Sequence, residues 1–135
     1  MRPAGLFLVP LVLSLGACAS SPAMRGAPDV VRGHFGGAHA ALVASDSVAT
    51  VELDCAHGRT TGPLRVSAGG WFDVPGMFVR EGGPVRAGAL PDARPARFVG
   101  HVEGETLQFR ILVADGSNGP YTLRRGTPPQ LYKCL

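Results

Sequence analysis

Cys55 and His57 stand two residues apart in the stretch VELDCAHGRT, residues 51–60, with Asp54 beside them. Three kinds of chemistry use such a set. An imidazole can activate a thiolate nucleophile, a thiolate and an imidazole can form half of a metal site, and a cysteine can anchor a disulfide. The chain has three cysteines, Cys18, Cys55 and Cys134. With Cys18 assigned to a lipid anchor, Cys55 and Cys134 form an even pair, and in an oxidising compartment pairing is the default. The bond would close a long loop, worth roughly 3 to 5 kcal/mol in the chain-entropy model. It would also fasten the terminal LYKCL to the early part of the sheet. Against catalysis, no obvious third group orients a base for Cys55. A Cys55–Cys134 disulfide is therefore expected, and no catalytic residue is assigned.

Other chemistry is weaker in the sequence. Four histidines invite a metal, but there is no HExxH, CxxC or His-x-His. His34 and His39 are five apart and fall on opposite faces of a regular strand. Solvent-facing or hydrogen-bonded histidines are the simpler account, so no metal and no cofactor is expected. Neither G-x-S-x-G nor a phosphate-cradling G-x-x-x-x-G-K occurs, and no carboxylates pair at a readable spacing. Arg80 and Glu81 are adjacent and could form a polar pair at a rim. Trp71 follows Gly69-Gly70 and could stack on a sugar or peptide, or end a half-buried strand. His57, Trp71, Arg80 and Glu81 are thus the candidate ligand or rim residues.

The front of the chain, MRPAGLFLVPLVLSLGACASS, has a short cationic start at Arg2 and an apolar run from Leu6 to Leu15. That run is too short to span a bilayer and is expected to be an export signal. Leu15-Gly16-Ala17-Cys18 resembles the bacterial lipobox, which implies diacylation of Cys18 after removal of residues 1–17. Two acyl chains give stable anchoring at about 0.8 kcal/mol per buried methylene. Ala19 rather than Asp after the cysteine implies, in Gram-negative lipoproteins, sorting to the outer membrane, facing the periplasm. Residues 18–31 are expected to form the lipidated N-terminus and tether, and residues 32–135 a single domain. The net charge of +3 comes mostly from scattered arginines. Without a basic stripe, and with export expected, nucleic acid is an unsuitable partner.

The elements that would position these residues are strands. Leu107, Phe109, Ile111 and Val113 alternate with Thr106, Gln108 and Arg110, and Phe98 and Val102 alternate with Arg97, His101 and Glu103. Val51, Leu53 and Cys55 alternate with Thr50, Glu52 and Asp54, which puts Cys55 on the inner face. Gly (19) and Pro (12) leave little room for uninterrupted helices. About eight strands are expected, at 34–43, 48–57, 61–66, 70–78, 96–103, 106–115, 120–125 and 130–134. Turns are expected at Ala44–Ser47, His57–Arg59, Glu103–Glu105 and DGSNGP (115–120). The expected fold is all-β: a small antiparallel meander, closed into a lipocalin-like barrel, with a flattened sandwich as the alternative. The inward set is Phe35, Leu53, His57, Phe72, Val74, Phe98, Leu107, Phe109 and Ile111. Phe35 and Leu42, an odd count apart, both face inward only if Gly36-Gly37 forms a bulge. Residues 79–95, VREGGPVRAGALPDARP, lose the alternation and are expected to be a long loop, mobile or functional.

GHFGGAHAALVASDSVATVELDCAHG, GWFDVPGMFVREGGPV, PARFVGHVEGETLQFRILV and the closing KCL resemble a group of small secreted or lipid-anchored bacterial β proteins. Their segments read approximately G-x-W-G-G, DCAHG, F-D-V-P-G-x-(Y/F)-V-R-E and a terminal KC. The resemblance covers nearly all of the chain beyond the tether and imports no activity. A looser one runs to lipocalin-like barrels, in which G-x-W opens the first strand; here Phe35 of Gly33-His34-Phe35 stands in the Trp position. The expected function is a non-catalytic, monomeric binding module anchored to the membrane by lipid. Its partner would be a small apolar ligand in the barrel mouth or an envelope component. The alternative is an envelope-structural or inhibitor protein acting through surface contacts of the 79–95 loop.

Overall fold

The computed structural model describes residues 29–83 and 86–134, and every regular element among them is a strand. The expected signal segment, Cys18 and most of the tether lie outside the described residues. In chain order the strands are β1 (Asp29–Val30), β2 (Gly33–Gly37), β3 (Ala40–Ala44), β4 (Ala49–Leu53) and β5 (Ala56–Thr60). They continue as β6 (Arg65–Val66), β7 (Trp71–Arg80), β8 (Ala93–Glu103), β9 (Thr106–Val113) and β10 (Gly116–Arg125).

Eight of these form a closed barrel in the order β10-β2-β3-β4-β5-β7-β8-β9, and β1 and β6 make a separate two-stranded ribbon. All pairs are antiparallel. The ring closes where Arg124 and Arg125 of β10 face Gly36 and Phe35 of β2. Closure leaves no free edge in the barrel and rules out the flattened sandwich.

Strict alternation drives the closure. Along β7, Phe72, Val74 and Phe78 are buried while Trp71, Asp73, Pro75 and Met77 face out. The same period sends Phe98, Leu107, Phe109, Ile111 and Leu123 inside, all at most 2% exposed. Together with Phe35, Leu42 and Val51 these side chains fill the barrel, as expected when eight strands enclose a lumen about one side chain wide. Space for the rings comes from glycine. A Cβ on Gly58 or Gly76 would stand 2.7 Å from the Phe98 ring, and one on Gly100 2.6 Å from Phe72. Those three positions therefore exclude larger residues by contact.

The barrel has the expected eight strands, but the described residues form ten in all and several boundaries differ. The stretch expected as one strand, 34–43, is a hairpin, β2–β3, turning at Ala38-His39. Phe35 and Leu42 face each other directly across it, so both point inward and no bulge is needed. His39 accepts the left-handed conformation of this turn, φ 65°. The stretch 48–57 is likewise a hairpin, β4–β5, turning at Asp54-Cys55. Cys55 therefore belongs to a turn rather than to the inner face of a strand. The turn restarts the alternation, so Ala56, Gly58 and Thr60 point inward and His57 points outward, contrary to expectation. His57–Arg59 is strand rather than turn, 61–66 keeps only the short β6, and 130–134 forms no strand. β7 and β8 extend into the expected 79–95 loop and reduce it to 81–92.

The barrel's two ends are finished differently. At one end the β1–β6 ribbon lies across the opening, with the Val31 amide donating to Leu64 O at 2.9 Å. Leu64 (0% exposed) and Val31 (6%) plug it with apolar surface. Beneath them the buried Thr60 hydroxyl accepts from the Ala49 amide (2.7 Å) and donates to Gly62 O (2.6 Å). At the other end the residues after β10 run back over the hairpin tips. His39 N donates to Gln130 O (2.8 Å), Gln130 N to Gly37 O (2.9 Å), and Cys134 N to Asp54 O (3.2 Å).

Candidate functional site

The tail-covered end is the barrel mouth. Cys55, in the β4–β5 turn, is bonded to Cys134 across a sequence separation of 79. Their Cα atoms are 5.1 Å apart, within the span disulfides normally bridge. This bond consumes the thiol that a Cys55–His57 nucleophile would need.

Two histidine–carboxylate pairs flank the disulfide. His39 Nδ1 is 2.6 Å from Asp54 Oδ2, and the other oxygen of Asp54 accepts the Tyr132 amide at 2.8 Å. That backbone hydrogen bond, aided by His39 and Lys133, holds Asp54 below the usual carboxylate range. On the outer wall His57 Nδ1 is hydrogen-bonded to Glu81 Oε1. The His57 contact first, then Lys133, lowers the Glu81 pKa. Lys133 Nζ donates to Glu52 (2.8 Å), Leu53 O (2.9 Å) and Glu81 (3.2 Å), and its own pKa is raised, mainly by Glu52. Asp54, Cys55, Glu52 and Glu81 thus all hold the last residues of the chain.

Inside this collar lies a recess of about 390 Å³. Its floor is Leu53, Ala56 and Phe78, and its rim carries His39, Asp54, Arg80, Glu81, Asn118 and Tyr121 beside the Cys55 bond. Arg80 pairs with the buried Ala56 across β5–β7, so strand parity puts it on the inward side, above the floor. It makes no ion pair or side-chain hydrogen bond among the described residues. Tyr121 is half-buried; burial and the Asp54 charge push its phenol pKa up, so it stays neutral and able to donate. The two carboxylates at the rim are already engaged, Asp54 by His39 and the Tyr132 amide and Glu81 by His57 and Lys133, so Arg80 is the rim charge left to a ligand. An apolar floor beneath that cation suits a small amphipathic anion entering end-on.

Of the four residues singled out from sequence, His57, Arg80 and Glu81 line one hollow where β7 ends, and Arg80 and Glu81 both reach the mouth recess as well. Glu81 is bonded to His57 and Lys133 rather than to Arg80. Trp71 begins β7 at the opposite end of the barrel, on its outer flank. The remaining histidines are accounted for without a metal: His101 Nε2 is 2.8 Å from Gly69 O, and His34 faces solvent. Among the described residues no three His, Cys, Asp or Glu side chains gather as a metal site would need. Sequence reasoning missed Asn118 and Tyr121, which reach the mouth only because β10 closes the ring. It also missed the Asp54 and Glu52 contacts to the tail, which join residues 78 and 81 positions apart.

The chain matches no protein-family model, no curated protein and no solved structure. The function must be argued from the site.

Proposed function

We propose that the protein is an exported binding module, lipid-anchored through Cys18 in the outer membrane and facing the periplasm, that does no chemistry. Its site is the mouth recess, and its ligand is a small amphipathic anion. The observation that carries the proposal is the combination of a filled lumen with an accessible floor of Leu53, Ala56 and Phe78 beneath Arg80. A filled lumen leaves no room for a ligand along the axis, so any occupant rests on the mouth. β1, the first described strand, pairs with β6 at the plugged end, opposite the mouth.

The test is native mass spectrometry of the full-length protein, gently extracted from its host membranes. Expected are a diacylated Cys18, an intact Cys55–Cys134 bond and a small acidic passenger that Arg80→Ala loses without a change in melting temperature. A wild-type protein with no passenger, and with no spectral response to added octanoate, would defeat the mouth proposal.

A second reading, surface contact through the loop after β7, draws support from Leu90, which is 90% exposed beside Arg86. It predicts that Leu90→Ser abolishes a cross-link to an envelope protein while octanoate binding persists. An unchanged cross-linking pattern would end it.

A further inference from the structure

The outer flank of β7–β10, remote from the mouth, carries a groove of about 670 Å³. The outward positions of four adjacent strands line it: Trp71 and Asp73 on β7, His101 on β8, Gln108 and Arg110 on β9, and Thr122 on β10. Trp71 is 64% exposed, which for the largest aromatic side chain in the molecule calls for an explanation.

The exposure is built in. Ser67 N donates to Trp71 O and Gly70 N to Ser67 O, each at 2.9 Å, and Trp71 N donates to Ser67 Oγ at 3.2 Å. The Val102 amide donates to Gly70 O at 2.8 Å, tying this turn to β8. One side of the indole packs on His101, with ring centroids 4.4 Å apart, and the His101 Nε2 contact to Gly69 O holds that ring in turn. The indole is thus fixed before any ligand arrives, so little ordering entropy is lost on binding.

The rest of the groove is polar but nearly balanced. Asp73 is engaged by Arg97 through two nitrogens, at 2.9 and 2.8 Å. Gln108 donates to Thr122 at 3.3 Å and keeps its carbonyl oxygen for an outside donor. Arg110 has no ion pair among the described residues. A flat aromatic platform beside planar amide, carboxylate and guanidinium groups matches a sugar ring, which has an apolar C–H face and hydroxyls around its edge. A membrane surface would ask instead for a convex apolar cluster with several cations, and here one ring stands in a concave, polar wall.

We propose that this groove is a carbohydrate-binding site that stacks a sugar ring on Trp71 and hydrogen-bonds its hydroxyls through Gln108, Asp73 and Thr122. It is separate from the mouth and does not depend on the ligand assigned there.

Trp71 is the chain's single tryptophan, so emission excited selectively from tryptophan, and not from the two tyrosines, reports this groove. The full-length protein would be titrated with oligomers of N-acetylglucosamine and, separately, of glucose. The expected result is a saturable emission change with at least one series, weakened about tenfold in Gln108→Ala, the scale of a lost hydrogen-bonding side chain. Trp71→Ala, followed by calorimetry, should abolish binding with melting unchanged, and Arg80→Ala should leave it intact. No saturable response to either series overturns the proposal. So does a response that Gln108→Ala leaves unaltered. Quenching of Trp71 by brominated lipids in reconstituted vesicles, without any sugar response, would also overturn it and assign the ring to the membrane.

Discussion

The two ends of the barrel solve one problem with opposite means. Hairpin tips and strand ends expose backbone groups and lumen side chains that must be covered. At the plugged end, Val31 and Leu64 do this by burial, over a buried threonine. At the mouth, a disulfide, two histidine–carboxylate pairs and Lys133 fasten the tail from outside, and their side chains stay partly in water. Apolar burial is indifferent to redox state, to carboxylate titration and to charge screening; the mouth's fasteners respond to all three. The end that carries the recess is therefore the end whose closure can be varied by its surroundings.

The largest effect that would sharpen this contrast is removal of the disulfide. For a separation of 79 residues the chain-entropy model gives about 4 kcal/mol. Cys134→Ser should thus lower the denaturation midpoint steeply, and reduction of the wild type should match it. Hydrogen exchange should then show the Tyr132 and Cys134 amides losing protection while Val31 keeps its own. Equal loss at both ends would break the comparison.

Next comes the plug. Leu64 is fully buried, and Leu64→Ala should cost about 3 kcal/mol from lost transfer and an unfilled cavity. The loss should be the same in oxidised and reduced protein, a result that paired denaturation curves would check.

Acidification gives a smaller change, confined to the mouth. Asp54 and Glu81 have depressed pKa values in the folded protein. Each therefore adds stability that is fully present above its unfolded pKa and lost as pH falls through the lower folded value. Lys133 works in the opposite sense: its raised pKa adds stability below its unfolded value, lost as pH rises through the folded one. Tail-amide protection, followed from about pH 7 to about pH 3, the side on which carboxylates titrate, should fall in the wild type. In Asp54→Asn/Glu81→Gln it should already be low at neutral pH and change less on acidification. A fall of the same size in that variant would show that these carboxylates do not govern the mouth.

The smallest effect is that of salt. The Lys133 pairs are exposed by a third to a half on both partners, so screening acts on them strongly. Raising ionic strength should loosen the tail measurably but leave the global melting temperature almost unchanged.

Much of the barrel could be read from residue order because one period governs it. Phe98, Leu107, Phe109 and Ile111 alternate with charged or polar neighbours, and no long-range information is needed to place them inside. His57 failed for the same reason that these succeeded. A continuous strand from 48 to 57 gives it the inward parity, and only the turn at Asp54-Cys55 reverses that. The turn leaves little mark in the sequence, since Asp54 is its one favourable residue and no glycine or proline stands there. The hairpin at Ala38-His39 was hidden in the same way, by a histidine in a conformation glycine usually supplies. Arg80 was identifiable as a rim candidate, but that Glu81 bonds to His57 and Lys133 instead depends on which face each takes where β7 ends. The Trp71 groove needed four strands side by side before Gln108 and Thr122 became its neighbours.

The sequence by itself determined the class of fold, the inward placement of Phe35, Phe72, Phe98 and Phe109 though not of Phe78, and the pairing of Cys55 with Cys134. Alternation is a local fact on which hydrophobic burial acts directly, and with Cys18 set aside for the proposed anchor one cysteine pairing remains. Tertiary structure alone decided that the ring closes through β10 and β2, that its lumen is full, and where the mouth and the outer groove lie. Those outcomes depend on register and on contacts between residues far apart in sequence. Each turn sets the parity of the strand after it, and a shift of one residue exchanges every inward side chain for an outward one.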